Sequence, residues 1–220
     1  MVAISTSAQS ALGWLRRSPP DLDRATAAVE RVVKDAQRAG SIVHGVRGML
    51  AKSEPVLIEL DVNAVIRDVL GFIEDERRRS EITIHTSLDP RLPKVKGDPI
   101  QLQQVVLNLV MNGIEAMRAS PAKSRVMTIR TSAGGSGVSV AVEDRGSGID
   151  GDAIARVFDP FFTTKAAGVG LGLAITRSIV EAHGGHIWAE PAEPRGALFQ
   201  FTLPAASVCA QGQLSAAEGG

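Results

Sequence analysis

From Leu22 to Leu50 the apolar residues advance by alternating steps of three and four: Leu22, Ala25, Val29, Val32, Ala36, Ala39, Val43, Val46 and Leu50. This is the heptad spacing of a coiled coil or helical bundle, and a single helix cannot bury such a seam by itself. Ahead of it, Ile4, Ala8, Ala11 and Leu15 also recur at helical spacing. Arg16-Arg17-Ser18-Pro19-Pro20 ends that first helix, because proline drives the residue before it out of the α region. Asp21 then stands where a carboxylate can cap a second helix by accepting its orphan N–H groups. Residues 1–53 therefore read as a helical hairpin. Its seam has two possible partners: a second copy, making half of a dimeric four-helix bundle, or the chain's own globular part. Gly40, Gly45 and Gly48 weaken the last turns by about 1 kcal/mol each. A soft stretch just before Ser53-Glu54-Pro55 suits a hinge.

After the hinge the periodicity changes. Val56–Leu60 predicts a strand, and Val62–Arg79 a helix with Val65, Ile66, Val69, Leu70 and Ile73 inward. Glu81–Leu88 predicts a strand with one wet face, and Pro99–Ala119 a helix. Strands follow at Arg125–Thr131 and Val138–Glu143, separated by Gly134-Gly135-Ser136-Gly137. A helix at Leu171–His183 and strands at His186–Ala189 and Leu198–Leu203 complete residues 54–204. Helix and strand follow one another without regular βαβ alternation, which favours an α+β two-layer sandwich over a doubly wound sheet. Residues 205–220 are small, polar and glycine-containing, and read as a disordered tail.

Bulk properties exclude several classes. With 24 basic and 24 acidic side chains the formal net charge is +0, against a nucleic-acid footprint, which needs a clustered positive surface. The one cysteine, Cys209, excludes an internal disulfide framework and fits a reducing cytosol. No apolar run approaches the roughly 20 residues of a membrane span, and no basic-then-apolar leader opens the chain. The expectation is a cytoplasmic protein with no direct membrane contact.

Four segments carry chemistry. In the first, Gln101 to Ala116, Asn108 and Asn112 lie four apart and so share one helix face. Their amide oxygens are hard donors suited to Mg²⁺, although two asparagines also make an ordinary solvated face. The second ends a strand in Asp144-Arg145-Gly146-Ser147-Gly148. A carboxylate there can accept the exocyclic amine of a purine, and the glycines admit backbone close to a base; a plain Asp/Gly turn reads the same way. The third is Phe158-Asp159-Pro160-Phe161-Phe162-Thr163-Thr164-Lys165, which holds three of the six phenylalanines. It reads as an apolar staple under a loop whose Thr-Thr-Lys end can reach phosphates. The fourth, Gly168-Val169-Gly170-Leu171-Gly172-Leu173, runs into a helix, where free N–H groups and the dipole favour anions. No strand precedes it as in a Rossmann motif, and no Gly-Lys-Ser/Thr follows as in a P-loop.

In this order the four segments resemble the boxes of the histidine-kinase branch of the gyrase/chaperone/kinase/MutL ATPase superfamily. The run Ala174–Trp188 and the closing Gly196–Pro204 are similar to the same family, so the resemblance covers about residues 54–204. It implies a Bergerat-type ATP-binding fold that holds ATP between a mixed sheet and helices. It implies that Asn112 ligands Mg²⁺ and that Asn108 contacts phosphate or metal-bound water. Asp144 would read the adenine amine, and Gly146 and Gly148 would shape the base pocket. Gly168, Gly170 and Gly172 would form the lid hinge and phosphate cradle, with Lys165 near the γ-phosphate. Glu115, Ala116, Ile149, Phe158, Thr163, Thr164, Val169 and Leu171 fall on the same implied nucleotide-binding surface. Related gyrase-type ATPases carry a water-activating glutamate where Asn108 stands, so slow hydrolysis and a preference for phosphoryl transfer are expected.

Similar kinases place a phosphoacceptor histidine in a His-Glu-x-x-x-Pro setting just before a segment like Val2-Ala3-Ile4, so the acceptor is expected outside this chain. His44, His85, His183 and His186 do not replace it: His44 flanks the seam, His85 lies in a strand, and His183 and His186 straddle a Gly-Gly turn. The expected function is ATP-dependent transfer to a histidine, for relay to the aspartate of a response-regulator receiver domain, by a homodimer joined through the hairpin. A non-catalytic ATP-binding regulatory or dimerisation module is the alternative that stays open.

Overall fold

The computed structural model describes residues 2–29, 32, 57–135, 137–164 and 169–206, with backbone alone at 2–4 and 152. The seam beyond Val32, His44, the hinge glycines, Lys165 and Gly168 lie outside the described residues. The chain divides into two units, Met1–Ala51 and Lys52–Gly220.

In the first unit, α1 spans Val2–Leu15 and residues 22–29 form α2. Asp21 caps α2, its Oδ1 accepting the Arg24 N–H at 3.0 Å, and the Asp21 N–H returns to the Trp14 carbonyl at 3.2 Å. The guanidinium groups of Arg17 and Arg24 lie 4.0 and 4.6 Å from the Trp14 ring centroid, so cation–π contacts close the turn. Ala11, Ala25 and Ala28 are buried, whereas Leu12, Leu15, Leu22 and Val29 remain exposed.

The second unit is a two-layer α+β sandwich. Its five-stranded sheet has the order β2-β4-β5-β7-β6, from Thr83–Leu88 (β2), Val126–Gly134 (β4), Gly137–Asp144 (β5), His186–Pro191 (β6) and Ala197–Pro204 (β7). β2 and β4 run parallel, and the other pairs are antiparallel. Period-two alternation sets the layers. Val138, Val140 and Val142 of β5, with Phe199, Phe201 and Leu203 of β7, face the helices and are buried. The long helix α5, Pro99–Met117, answers with Leu102, Val105, Val106, Leu109, Val110 and Ile114, at helical spacing and all buried. It packs between α3, Val62–Phe72, and α7, Gly172–Ala182.

Three details depart from sequence expectation. The helix expected over Val62–Arg79 breaks at Ile73 (φ −93°, ψ 6°) into α3 and α4, Glu74–Arg79. Ile73 still buries, but Glu-Asp-Glu-Arg-Arg-Arg has no apolar residue to hold it to the core, and α4 has no buried residue. Its acids lie in the first turn and its bases in the last, which suits a separate helix dipole. Second, β3, Val95–Gly97, pairs antiparallel with β1, Ile58–Leu60, and is too short to show a period. The helical turn Gly151–Ile154 (α6) escapes sequence reading for the same reason. Third, the chain stays tied past Pro204: Ala205 bridges to Val95, and the Ala206 N–H donates to the Lys94 carbonyl at 2.8 Å. Backbone pairing of this kind has no compositional signature.

Candidate functional site

The site is built along α5. Asp98 caps this helix, its Oδ1 accepting the N–H groups of Ile100 (2.9 Å) and Gln101 (3.2 Å), with Pro99 in the first turn, where no donor is lost. The cap is itself held. The Asp98 N–H donates to Nε2 of His183 at 3.0 Å, and His183 Nδ1 lies 2.7 Å from the Ile179 carbonyl. A carbonyl only accepts, so Nδ1 carries the proton and the ring is the neutral tautomer with both nitrogens engaged. His183 is thus a buried strut joining the end of α7 to the start of α5, placed where α7 runs into the Gly184-Gly185 turn before His186. Its sequence signal was slight: one polar residue at the end of an apolar helix.

Two turns into α5, Asn108 is half-buried, and its Nδ2 lies 3.3 Å from the Gly172 carbonyl and 3.3 Å from Thr176 Oγ1, both on α7. Asn112, one turn further, is also half-buried; Glu115 is exposed and Ala116 half-buried. Asn108 to Ala116 covers about 12 Å of helix axis.

At the far end α5 presses onto the end of β5. A Cβ on Gly113 would sit 2.5 Å from Met127 Cε and 3.2 Å from Asp144 Cβ. One on Gly146 would sit 2.7 Å from both the carbonyl carbon and Cβ of Ala116. The contact at Gly146 is with backbone and excludes any side chain, whereas a Cβ at Gly113 would require the end of the Met127 side chain to shift. Asp144, only 3% exposed, accepts the Gly146 N–H on Oδ1 at 2.8 Å, and the Ser147 N–H reaches the Ala116 carbonyl at 3.3 Å. Gly148 lies against the Gly196 carbonyl, and Ile149 packs partly buried on the core. The Asp-x-Gly-x-Gly segment is therefore more than a solvated turn: it fixes a buried carboxylate against a helix. Gly113 was not singled out by sequence, although a glycine inside a helix costs about 1 kcal/mol and usually marks a close approach.

At the near end, α7 begins at Gly172 after Leu171, with no side-chain cap on its first turn. Such a turn leaves N–H groups open to an anion. Val169 is half-buried and Leu171 buried, so the glycine-rich segment is anchored in the core at two points. Gly170 has φ 71°, and its carbonyl accepts the Phe161 N–H at 2.9 Å. Phe161 itself has φ 66° and is 71% exposed. A bulky residue in this conformation costs about 1–3 kcal/mol and is held there by its surroundings. Phe158 packs edge-on to Phe199 at 6.3 Å in the core, and the Arg156 guanidinium lies 4.8 Å from the Phe162 ring centroid. Thr163 and Thr164 follow, exposed. On α7, the Glu181 carboxylate bonded at 2.8 Å pushes the Arg177 pKa up. Among the described residues no helix is long and apolar enough to cross a membrane.

A mixed sheet covered on one face by helices, with a buried aspartate at a strand end and paired asparagines opposite a glycine-rich helix start, defines a nucleotide-binding class. Residues 97–207 match the family described as histidine kinase-, DNA gyrase B- and HSP90-like ATPases, and the chain belongs to that family. Among curated relatives, sensor histidine kinase TmoS of Ectopseudomonas mendocina is 35% identical over 204 residues, 92% of this chain. The chain spans only about a fifth of that relative's length (21%). The catalytic domain of histidine kinase ThkA superposes with a TM-score of 0.60 at 34% identity, over 67% of this chain and 95% of that one. ThkA in complex with its response regulator protein TrrA gives a TM-score of 0.70 at 27% identity, over 92% of this chain and 59% of that one. Full-length ShkA in complex with AMPPNP gives 0.72 at 26% identity, over 92% and 42%.

Proposed function

We propose that this chain is the ATP-binding catalytic portion of a two-component sensor histidine kinase. It would hold Mg²⁺-ATP along α5 and present the γ-phosphoryl group to a histidine in another segment, for relay to a response-regulator aspartate. One observation carries the reading: α5 brings the buried Asp144 carboxylate and the uncapped start of α7 to the two ends of one amide-bearing helix face.

The roles follow from the donors. Asp144 accepts the exocyclic amine of adenine, its carboxylate set at the place where Gly113 and Gly146 let α5 close onto the end of β5. The first-turn N–H groups of α7 meet phosphate oxygens, with Thr163, Thr164, Lys165 and Gly168 on the adjoining segment. For the metal, the donor set fits Mg²⁺: neutral amide oxygen from Asn112, supplemented by phosphate oxygens and water. Among the described residues no group of three or more His, Cys, Asp or Glu could cage a metal alone. Mg²⁺ would supply charge neutralisation at the phosphates. Asn108 has no titrating group to activate water, which favours transfer over hydrolysis.

The exposed Leu12, Leu15, Leu22 and Val29 support a homodimer through the helical unit. The complex of ThkA with TrrA supports a receiver domain as downstream partner, and use of ATP fits a reaction in the cytoplasm.

Calorimetry of Mg²⁺-ATP binding tests the site, comparing the native chain with Asp144→Asn and Asn112→Asp. Native binding near the micromolar range, weakened about tenfold or more in each variant, is expected. Absence of binding by the native chain would overturn the kinase reading. Transfer of labelled phosphate to a supplied helical bundle carrying the acceptor histidine separates a kinase from a module that only binds ATP.

A further inference from the structure

The last carbonyls of α5 run out of partners within the helix and must find donors elsewhere. Glu115 accepts the Arg118 N–H at 3.2 Å and Met117 the Ser120 N–H at 2.9 Å, both in local turns. The donors to Ala116 and Arg118 come from farther along the chain. The Ala116 carbonyl accepts the Ser147 N–H of the Asp-x-Gly-x-Gly turn at 3.3 Å, and the Arg118 carbonyl accepts Arg125 Nη2 at 3.2 Å. Arg125 also donates from Nε to the Ser120 carbonyl at 2.9 Å and from Nη1 to the Ser80 carbonyl, just past α4, at 2.8 Å. One guanidinium thus gathers the carbonyl ends of two helices, the pole at which a cation is favoured. Its side chain is 20% exposed, so water competes little for these bonds.

These bonds close a circuit around the Asp144 end of the site. Arg125 precedes Val126, whose carbonyl accepts the Arg145 N–H at 3.2 Å. Arg145 stands between Asp144 and Gly146, and a Cβ on Gly146 would come within 2.7 Å of the Ala116 carbonyl carbon. From α5 the circuit runs through Arg125 to the start of β4, through Arg145 to Ser147, and back to Ala116. We propose that Arg125 is a positioning residue for the base: it holds the last turn of α5 at the separation from the Asp144 turn that fits a purine. The inference rests on the nucleotide reading above and extends it to a residue outside the four motif segments. Ile114 and Met117, both 0% exposed, seat this end of α5 on the core. Apolar burial has no direction, however, and hydrogen bonds do, so the fork of Arg125 sets where that end comes to rest.

The test is calorimetry of adenosine and Mg²⁺-ATP with the native chain, Arg125→Gln and Arg125→Lys, at a temperature where thermal melts show each one folded. In Arg125→Gln both ligands should lose affinity about three- to tenfold and by the same factor, because the base is what they share. Lysine keeps the charge but has no fork to span three carbonyls, so it should show a similar loss. Unchanged affinities in a destabilised Arg125→Gln would leave the residue a helix cap alone. A loss for ATP but not adenosine would put its effect at the phosphates, and native affinity in Arg125→Lys would leave charge as the cause. Each of these overturns the proposal. A double-mutant cycle with Gly146→Ala sharpens it. Releasing α5 gives the new Cβ room, so the combined loss should fall short of the product of the single losses by about threefold or more; a simple product would sink the idea. One measurement needs no variant and decides the matter if neither folds: NMR exchange of the Arg125 Nε–H in the native chain. It should be slow with and without Mg²⁺-ATP, and exchange as fast as that of an exposed arginine would refute the fork. If the native chain binds neither ligand, the kinase reading falls and takes this inference with it. Native binding with an unaffected Arg125→Gln removes this inference alone.

Discussion

The two ends of α5 are built on different principles. At the β5 end the construction is backbone: Gly113 and Gly146 let helix and strand close to contact, and the Asp144 carboxylate is buried against its own turn. Little there can move without breaking the core. At the α7 end the construction is side-chain amide, helix start and strained turn, with Phe161 and Gly170 both at positive φ and joined by one hydrogen bond. A rigid slot suits a flat base of constant shape. An adjustable cradle suits phosphates, whose number and metal partner change during transfer.

The sharpest way to break this contrast is Gly146→Val. Its Cβ would collide with the Ala116 backbone, so adenosine, ADP and ATP should all lose binding, by about a hundredfold or more, with about 2–4 kcal/mol of stability. Calorimetry beside a thermal melt reads both, and retained adenosine binding would move the base elsewhere. His183→Ala should act on both ends together. It leaves the Asp98 N–H unpaired and removes the ring's hydrogen bond to the Ile179 carbonyl, which keeps the residue 183 backbone N–H, at a cost of about 1–3 kcal/mol in denaturant unfolding. An unchanged midpoint would show that α5 and α7 do not depend on the strut.

Gly170→Ala should instead separate the ends. At φ 71°, with a Cβ 2.5 Å from the Phe161 carbonyl carbon, alanine is strained by about 1–2 kcal/mol. ATP affinity should fall several-fold while adenosine affinity holds; equal losses would merge the two ends into one.

The smallest effect is a control far from both. Hydrogen bonds from Arg77 and then Arg78 lower the Glu74 pKa from 4.5 to about 2. A carboxylate with a depressed folded pKa contributes stability above pH 4.5 that is lost as pH falls toward 2. Being exposed, the pair is screened and its share is small. Glu74→Gln should flatten this part of the stability profile slightly and leave nucleotide affinity at neutral pH unchanged.

Much of this was legible in the amino-acid sequence. Val138 to Val142 alternate and face the helices as the pattern required, and α5 begins at Pro99 as expected. The motif segments could be picked out as candidates because chemistry at a phosphate or purine needs particular groups at particular spacings. What escaped were contacts between elements distant in sequence: the Asp98–His183 strut, the Asn108–Thr176 hydrogen bond and the β1–β3 pair. Each joins residues whose individual types have many ordinary uses, so no local pattern marks them.

The sequence by itself determined where the longer helices and strands lie, because burial of apolar side chains follows the period of the backbone. It also determined which groups could meet a nucleotide, since those groups are few in kind. Only the tertiary structure decided that Gly113 is a contact rather than a weak point in a helix, that Phe158 is core while Phe161 is exposed, and which edge of the Asn108 amide faces α7. Those depend on the distance and direction between elements. The apolar pattern leaves these undetermined, because hydrophobic burial has no direction, whereas hydrogen bonds and steric contact do.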